Sequence, residues 1–226
     1  MKTYVIFYTN HKFRSRESFL ENHYANLGFS KIIPYKSERI KTGKFYEKHK
    51  EILDCVRGEG YWLWKPKIIL DTFKEMEYGD VLIYTDAGDI LDITETDVLS
   101  FSKHKDFCFT NWNGRGHLHK SFTKRDCFIL MDCDSPEYHN AVQLEAGFLL
   151  LKKTDKNIDL VKEWFDYCSV KQIIDDEPNL HGSNLDGWKE HRHDQSILTN
   201  LILKKNINFD SAFDGKIHCN VYSHKV

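Results

Sequence analysis

Asp86 and Asp89 bracket Ala87-Gly88 where an apolar run, Asp80–Thr85 (DVLIYT), gives out into YTDAGD. Small residues at such an exit let the backbone approach a ligand closely. Carboxylate oxygens there suit a hard divalent cation, Mg2+ or Mn2+, which shares its coordination with substrate phosphates. The same letters also spell an Asp-Gly turn with a capping Asp, which turn chemistry supplies freely. A second cluster, Gly60–Lys67 (GYWLWKPK), sets aromatic rings and Lys65 against a helix start. A helix N-terminus beside a cation is an anion site, and an indole face stacks on a base or sugar ring. Trp62 and Trp64 also alternate as a strand face would, so core packing accounts for them equally well.

Trp188–Leu203 (WKEHRHDQSILTNLIL) places Asp194 where a helix begins, the position of an N-cap. His191 and His193 precede it, but HRHDQ lacks the second Asp-His step of an HxHxDH metallohydrolase, and structural histidines are the plainer reading. Gln143 and Glu145 lead into AGFLLL, where they either reach an acceptor hydroxyl or close a loop. Near the tail, His218 has the chemistry to complete a metal shell, although terminal residues more often stay unengaged. Lys124-Arg125 and the paired lysines after Leu151 read as solvated faces.

The elements that must position these groups follow from periodicity. Thr3–Tyr8 is β-branched and aromatic, a buried first strand. Arg14–Leu27 carries Phe19, Leu20, Tyr24 and Leu27 at helical spacing, with Gly28 as its C-cap. Ile32–Ile33 before Pro34 is a short strand. Phe45–Val56 is helical with Phe45, Ile52, Leu53 and Val56 inward, and Pro66 suits the first position of a helix running to Met76. Strands are expected at Asp80–Thr85, Asp106–Thr110 and Ala146–Leu151, and helices at Asp159–Cys168 and Gln195–Lys204. This alternation predicts an α/β fold with a largely parallel sheet. Ligands of such sheets sit at the carboxyl ends of strands, which directs attention beyond Tyr8, Thr85, Thr110 and Leu151.

Composition narrows the function. Lys plus Arg number 32 against 34 Asp plus Glu, so the chain lacks the basic excess of a nucleic-acid binder. Its 226 residues make one domain without repeats or linkers, and 12 Gly with 4 Pro exclude disorder. Six cysteines without a CxxC pair read as buried thiols in a reducing compartment. MKTYVIFYTN is too short for a signal peptide, and no stretch reaches the roughly 20 apolar residues of a membrane span. A soluble, cytoplasmic protein is expected.

In order, GYWLWKP, a helix, GDVLIYTDAGD, QLEAGFLLLKK and EHRHDQSILTNL resemble the small GT-A glycosyltransferases of capsule and lipopolysaccharide gene clusters and of large DNA viruses. The resemblance runs from about Tyr4 to about Leu203. It implies one GT-A (Rossmann-like) nucleotide-binding domain over residues 1–226, a mostly parallel central sheet flanked by helices. It also implies Mn2+ or Mg2+, a nucleotide-sugar donor (a UDP-sugar favoured) and a glycan or glycoprotein acceptor. The family's DxD signature matches as Asp86-Ala87-Gly88, with Gly88 in place of the usual second carboxylate. Asp89 then substitutes one step later, or the metal rests on Asp86 and a tail His, or metal dependence is weak. DQS is similar to the DQD-type segment of retaining galactosyl- and glucosyltransferases, which places Asp194 and Gln195 near the transferred sugar and favours retention.

On this reading Asp86 and Asp89 hold the cation with His218 as third ligand, and Lys65 takes the phosphate. Tyr8 and Thr9 lie under the base and ribose, Trp62 walls the pocket, and Asp194 touches the donor sugar or polarises the acceptor hydroxyl. Glu145 is the alternative for that last role. A nucleotidyltransferase or metal-dependent phosphohydrolase uses the same carboxylates, but each presents a Gly-rich loop or an early Asp where this chain has Thr9-Asn10-His11. A non-catalytic sugar-binding module has no need of a diphosphate site.

Overall fold

The structure, a computed structural model, describes residues 1–110, 117–207, 213 and 216–219, with Thr110, His218 and Cys219 described by their backbone alone. Seven strands are present among them: β1 Thr3–Thr9, β2 Lys31–Lys36, β3 Val81–Asp86, β4 Asp89–Leu91, β5 Phe107–Thr110, β6 Glu145–Lys152 and β7 Ile217–Cys219. The helices are α1 Glu17–Asn26, α2 Ser37–Ile40, α3 Gly43–Leu53, α4 Gly58–Tyr61, α5 Trp64–Glu75 and α6 Glu95–Phe101. They continue with α7 Arg125–Leu130, α8 Pro136–His139, α9 Asp155–Cys168, α10 Lys171–Ile174 and α11 His193–Lys204.

The central sheet has the order β2-β1-β3-β6-β5. β1 pairs in parallel with both β2 and β3, whereas β6 runs antiparallel to β3 and to β5. Four strands therefore share one direction, and the fold is mixed α/β with a mostly parallel sheet flanked by helices. Strand alternation sorts the core into two layers. Tyr4, Ile6, Tyr8, Leu82 and Tyr84 face the layer that packs on α5, α9 and α11. Val5, Phe7, Val81 and Ile83 face the layer containing Leu20 and Tyr24 of α1 and Val98 of α6.

The reversal of β6 corrects one expectation. The exit after Leu151 lies at the far edge, and it is the start of β6, Glu145 to Gly147, that reaches the carboxyl ends of β1 and β3. Pro34 lies within β2 rather than after it, tolerated because β2 is an edge strand. Pro66 is the third residue of α5, still within the first turn, where its missing N–H leaves no helical bond unmade. Val56 follows α3 and is 94% exposed, not inward. Lys124 is no solvated charge. It is buried and its ammonium lies 2.7 Å from the Asp175 carboxylate, the one arrangement in which burying a lysine is tolerable. No helix among the described residues is long and apolar enough to cross a membrane.

Candidate active site

The carboxyl edge of the sheet gathers three chain segments around one buried lysine. Tyr8 and Asp86 face each other across β1 and β3, and α5 and α11 bring their first turns to the same place. Lys65, 3% exposed, points its Nζ at the Ala146 carbonyl (3.0 Å), at Asp194 Oδ2 (3.1 Å) and at Asp86 Oδ1 (3.5 Å). It donates a hydrogen bond to the Ala146 carbonyl and forms ion pairs with the two carboxylates. The ammonium also lies 5.0 Å from the centre of the Tyr84 ring. Burial alone lowers a lysine pKa, yet Asp194 and Asp86 reverse this and hold Lys65 above its ordinary value, firmly charged.

Asp194 is the second residue of α11 and caps nothing; Arg192 holds the cap position. Burial raises its pKa to about 6, and this persists against the pull of Lys65 because Asp86 repels the negative form. Gln195 turns its amide to the sheet, where Oε1 accepts the Ala146 N–H at 3.1 Å. Together Lys65 and Gln195 clamp both backbone groups of Ala146 and fix the start of β6.

Beside them lies the acidic corner. Asp86 is 39% exposed along its side chain, and its Oδ1 accepts the Tyr84 hydroxyl as well as facing Lys65. A Cβ added at Gly147 would stand 3.0 Å from Asp89 Oδ2 and 3.5 Å from Asp86 Oδ2. The two carboxylates therefore converge over the same bare stretch of β6 backbone. Two hard oxygens converging over one stretch of backbone fit Mg2+ or Mn2+, which completes its shell from substrate phosphates and water. Among the described residues no group of three His, Cys, Asp or Glu is assembled as a metal cage. Backbone pairing sets His218 on β7 opposite Ile90 of β4, next to the register of Asp89; its side chain lies outside the described residues. Gly147→Ala should therefore weaken Mn2+ binding by about tenfold with little loss of stability, measured by Mn2+ titration and thermal melting.

Other expected contacts are placed differently. Thr9 is buried and donates its hydroxyl to Glu17 Oε2 at 3.0 Å, so it ties β1 to α1. Tyr8 is covered on one face by the Trp64 ring (3.9 Å between centroids) and donates its hydroxyl to Glu59. Ala87 is buried in the core layer of α1. Trp62, half-buried, stacks on His193 at 5.5 Å and is held there by a left-handed backbone with φ +60°. His193 Nδ1 lies 2.7 Å from the Ile174 carbonyl and His191 Nε2 lies 2.9 Å from the Ile173 carbonyl. Burial lowers both imidazoles, His193 to about 4, so both are neutral braces at neutral pH. Glu145, half-buried, opens β6 at the same edge opposite Thr110.

Three contributors escaped the sequence reading. Tyr84 was within reach of it, since residues two apart on a strand share a face and Asp86 was already singled out. Gly147 carries the signal of a glycine inside a strand, which marks a close approach. Arg16, whose guanidinium lies 3.5 Å from the Gly88 carbonyl oxygen, gave no local sign.

No family model matches the sequence, and no curated protein matches it. Similar solved structures include the WbbM bifunctional glycosyltransferase, 8% identical, with a TM-score of 0.49, covering 88% of this chain and 37% of that one. Mouse xyloside xylosyltransferase 1 is 11% identical, with a TM-score of 0.47, covering 93% of this chain and 84% of that one. A glycosyltransferase involved in glycosylation of the major capsid of PBCV-1 is 10% identical, with a TM-score of 0.36, covering 72% and 65%. The chain thus spans little more than a third of the length of the first.

Proposed function

We propose that this chain is a glycosyltransferase that moves a sugar from a nucleoside-diphosphate donor, a UDP-sugar by preference, onto a glycan or glycoprotein. The observation that carries the reading is the corner itself. Asp86 and Asp89 open together on the bare backbone of Gly147, and Asp86 is held in place by Lys65 and Tyr84. Breaking the bond between an anomeric carbon and a diphosphate concentrates negative charge on the leaving group. When bound at Asp86 and Asp89, Mg2+ or Mn2+ supplies Lewis-acid stabilisation of that charge.

The remaining roles belong to the chain. Lys65 is buried, hydrogen-bonded to the Ala146 carbonyl and ion-paired with Asp86 and Asp194. It serves as a positioning residue and leaves the phosphate to another cation. Arg16, beside the Gly88 carbonyl, is the group we assign to the diphosphate. Arg16→Ala should raise KM for the donor about tenfold or more with a smaller effect on kcat, read from initial rates. Asp194, 3% exposed, acts through Lys65 rather than by broad contact with sugar, which moves Glu145, half-buried at the start of β6, forward for that role. A retaining course remains our preference from the DQS segment.

The acid limb of the pH profile follows from Asp194. Its carboxylate grips Lys65 only above about pH 6, so the rate should fall as pH drops through that value. Stability should move the other way. A carboxylate with a raised folded pKa favours the fold most below the unfolded value, about 4, and loses that contribution as pH rises through about 6. Activity lost near pH 6 with no fall in Tm would match; a parallel fall in both would count against it. The broader reading is tested by thermal-shift screening with UDP, GDP, CMP and free sugars, with and without Mn2+. Stabilisation by a nucleoside diphosphate but not by free sugars at the same concentration is expected. A nucleoside triphosphate acting alone would favour the nucleotidyltransferase alternative.

A further inference from the structure

We infer that a polar cavity of about 600 Å3 between α7, α8 and the 175–192 segment is a subsite for a neutral sugar residue of the acceptor. This rests on the transferase reading. The volume lies within the roughly 300–1,000 Å3 of small-molecule pockets. The lining is rich in short polar side chains that pair with vicinal hydroxyls, among them Asn140, Ser183, Asn184 and Asp186, with Pro136 and Leu185 offering apolar patches. Trp188, three residues beyond Leu185 of the lining, donates its backbone N–H to the Leu185 carbonyl at 3.0 Å and is 38% exposed, an indole suited to the C–H face of a sugar ring.

The charge balance selects a neutral ligand. Arg125 pairs with Asp134 Oδ2 and the His139 ring lies on Oδ1 of the same carboxylate, at 2.8 Å each. Lys120 and Asp186 both line the cavity, one cation and one carboxylate. Counted with neutral imidazoles, Arg125 and Lys120 are offset by Asp134 and Asp186, so the lining offers an acidic glycan no net positive charge.

The wall is tied by hydrogen bonds, although it has no regular secondary structure over most of its length. The fully buried Asp126 carboxylate accepts the N–H groups of Leu180 (2.7 Å) and His181 (3.0 Å). Asn184 Oδ1 accepts the Arg125 N–H at 2.9 Å and Asn179 Nδ2 at 2.8 Å. Long irregular segments of this kind are usually functional, and a wall ordered in advance lowers the entropic cost of binding. Its far end is zipped to the segment that carries Lys120, through Lys189 N–H on the Ser121 carbonyl (2.8 Å) and Arg192 N–H on the Phe122 carbonyl (3.0 Å). His193 and Asp194 follow at once, so the cavity wall runs directly into the first turn of α11.

The test displays the full chain, biotinylated and tetramerised on streptavidin, against a printed array of neutral and acidic oligosaccharides; tetramerisation makes weak single-site binding visible. Two cavity-filling variants, Ser183→Trp and Asn140→Trp, run beside it. The Mn2+-dependent thermal shift with UDP is measured on all three proteins. Signal on neutral glycans, reduced about tenfold in both variants with the UDP shift intact, is the expected result. Signal confined to acidic glycans, signal untouched by both substitutions, or a UDP shift with no glycan signal overturns the subsite alone. Glycan signal without any nucleotide-dependent shift overturns the transferase reading, and the acceptor role with it.

Discussion

Asp86→Asn is expected to lower sugar transfer by about 10²–10³-fold while the protein stays folded. The substitution keeps the shape of the side chain and an oxygen for the Tyr84 hydroxyl, so the local packing persists. It removes the formal charge that faces Lys65 at 3.5 Å, and with it half of the acidic pair that opens over Gly147. The buried Lys65 keeps Asp194 at 3.1 Å as its counter-charge, so no deeply buried charge is orphaned and Tm should change little. Transfer, or donor hydrolysis in the absence of acceptor, is the rate to follow, beside a melting curve and a Mn2+ titration. Normal turnover with normal Mn2+ affinity would remove the metal assignment.

Lys65→Met carries the largest expected effect on stability, a loss of about 3–5 kcal/mol in urea or thermal unfolding. Methionine fills much of the volume but leaves the 3%-exposed Asp194 without its counter-charge and the Ala146 carbonyl without its donor. The deficit should depend on pH in a definite sense. Loss of the ammonium pushes Asp194 above its present value of about 6, so the damage is greatest at and above neutral pH and shrinks in mild acid as the carboxyl takes up a proton. Adding Asp194→Leu should restore much of the stability by removing the orphaned charge, without restoring activity. If Lys65→Met proves neutral, or the double variant is worse than the single one, the buried triad does not organise this corner.

The parts of the fold set by local pattern were legible. The β-branched and aromatic run Thr3–Tyr8 and the apolar run Asp80–Thr85 announced buried strands, and both lie at the centre of the sheet. The direction of β6 was not, since an apolar run such as AGFLLL reads alike in either sense and only its pairing with β3 decides. Lys124 shows the same limit. Its burial depends on Asp175, 51 residues away, and no local feature of a Lys-Arg pair announces a distant partner. At the site, the exit YTDAGD marked the place, and Asp86, Asp194 and Lys65 do meet there. Their division of labour was hidden. Lys65 reads as an anion ligand while its burial is unknown, and becomes a strut once three acceptors surround it.

The most direct trial of the central claim is a crystal structure of the protein with UDP and Mn2+, with anomalous scattering used to place the metal. A single Mn2+ bound to Asp86 and Asp89 over the Gly147 backbone, with both phosphates of the nucleotide on the same ion, is the expected result. Phosphates seated away from the sheet's acidic edge, or an ion that ignores both aspartates, would contradict it.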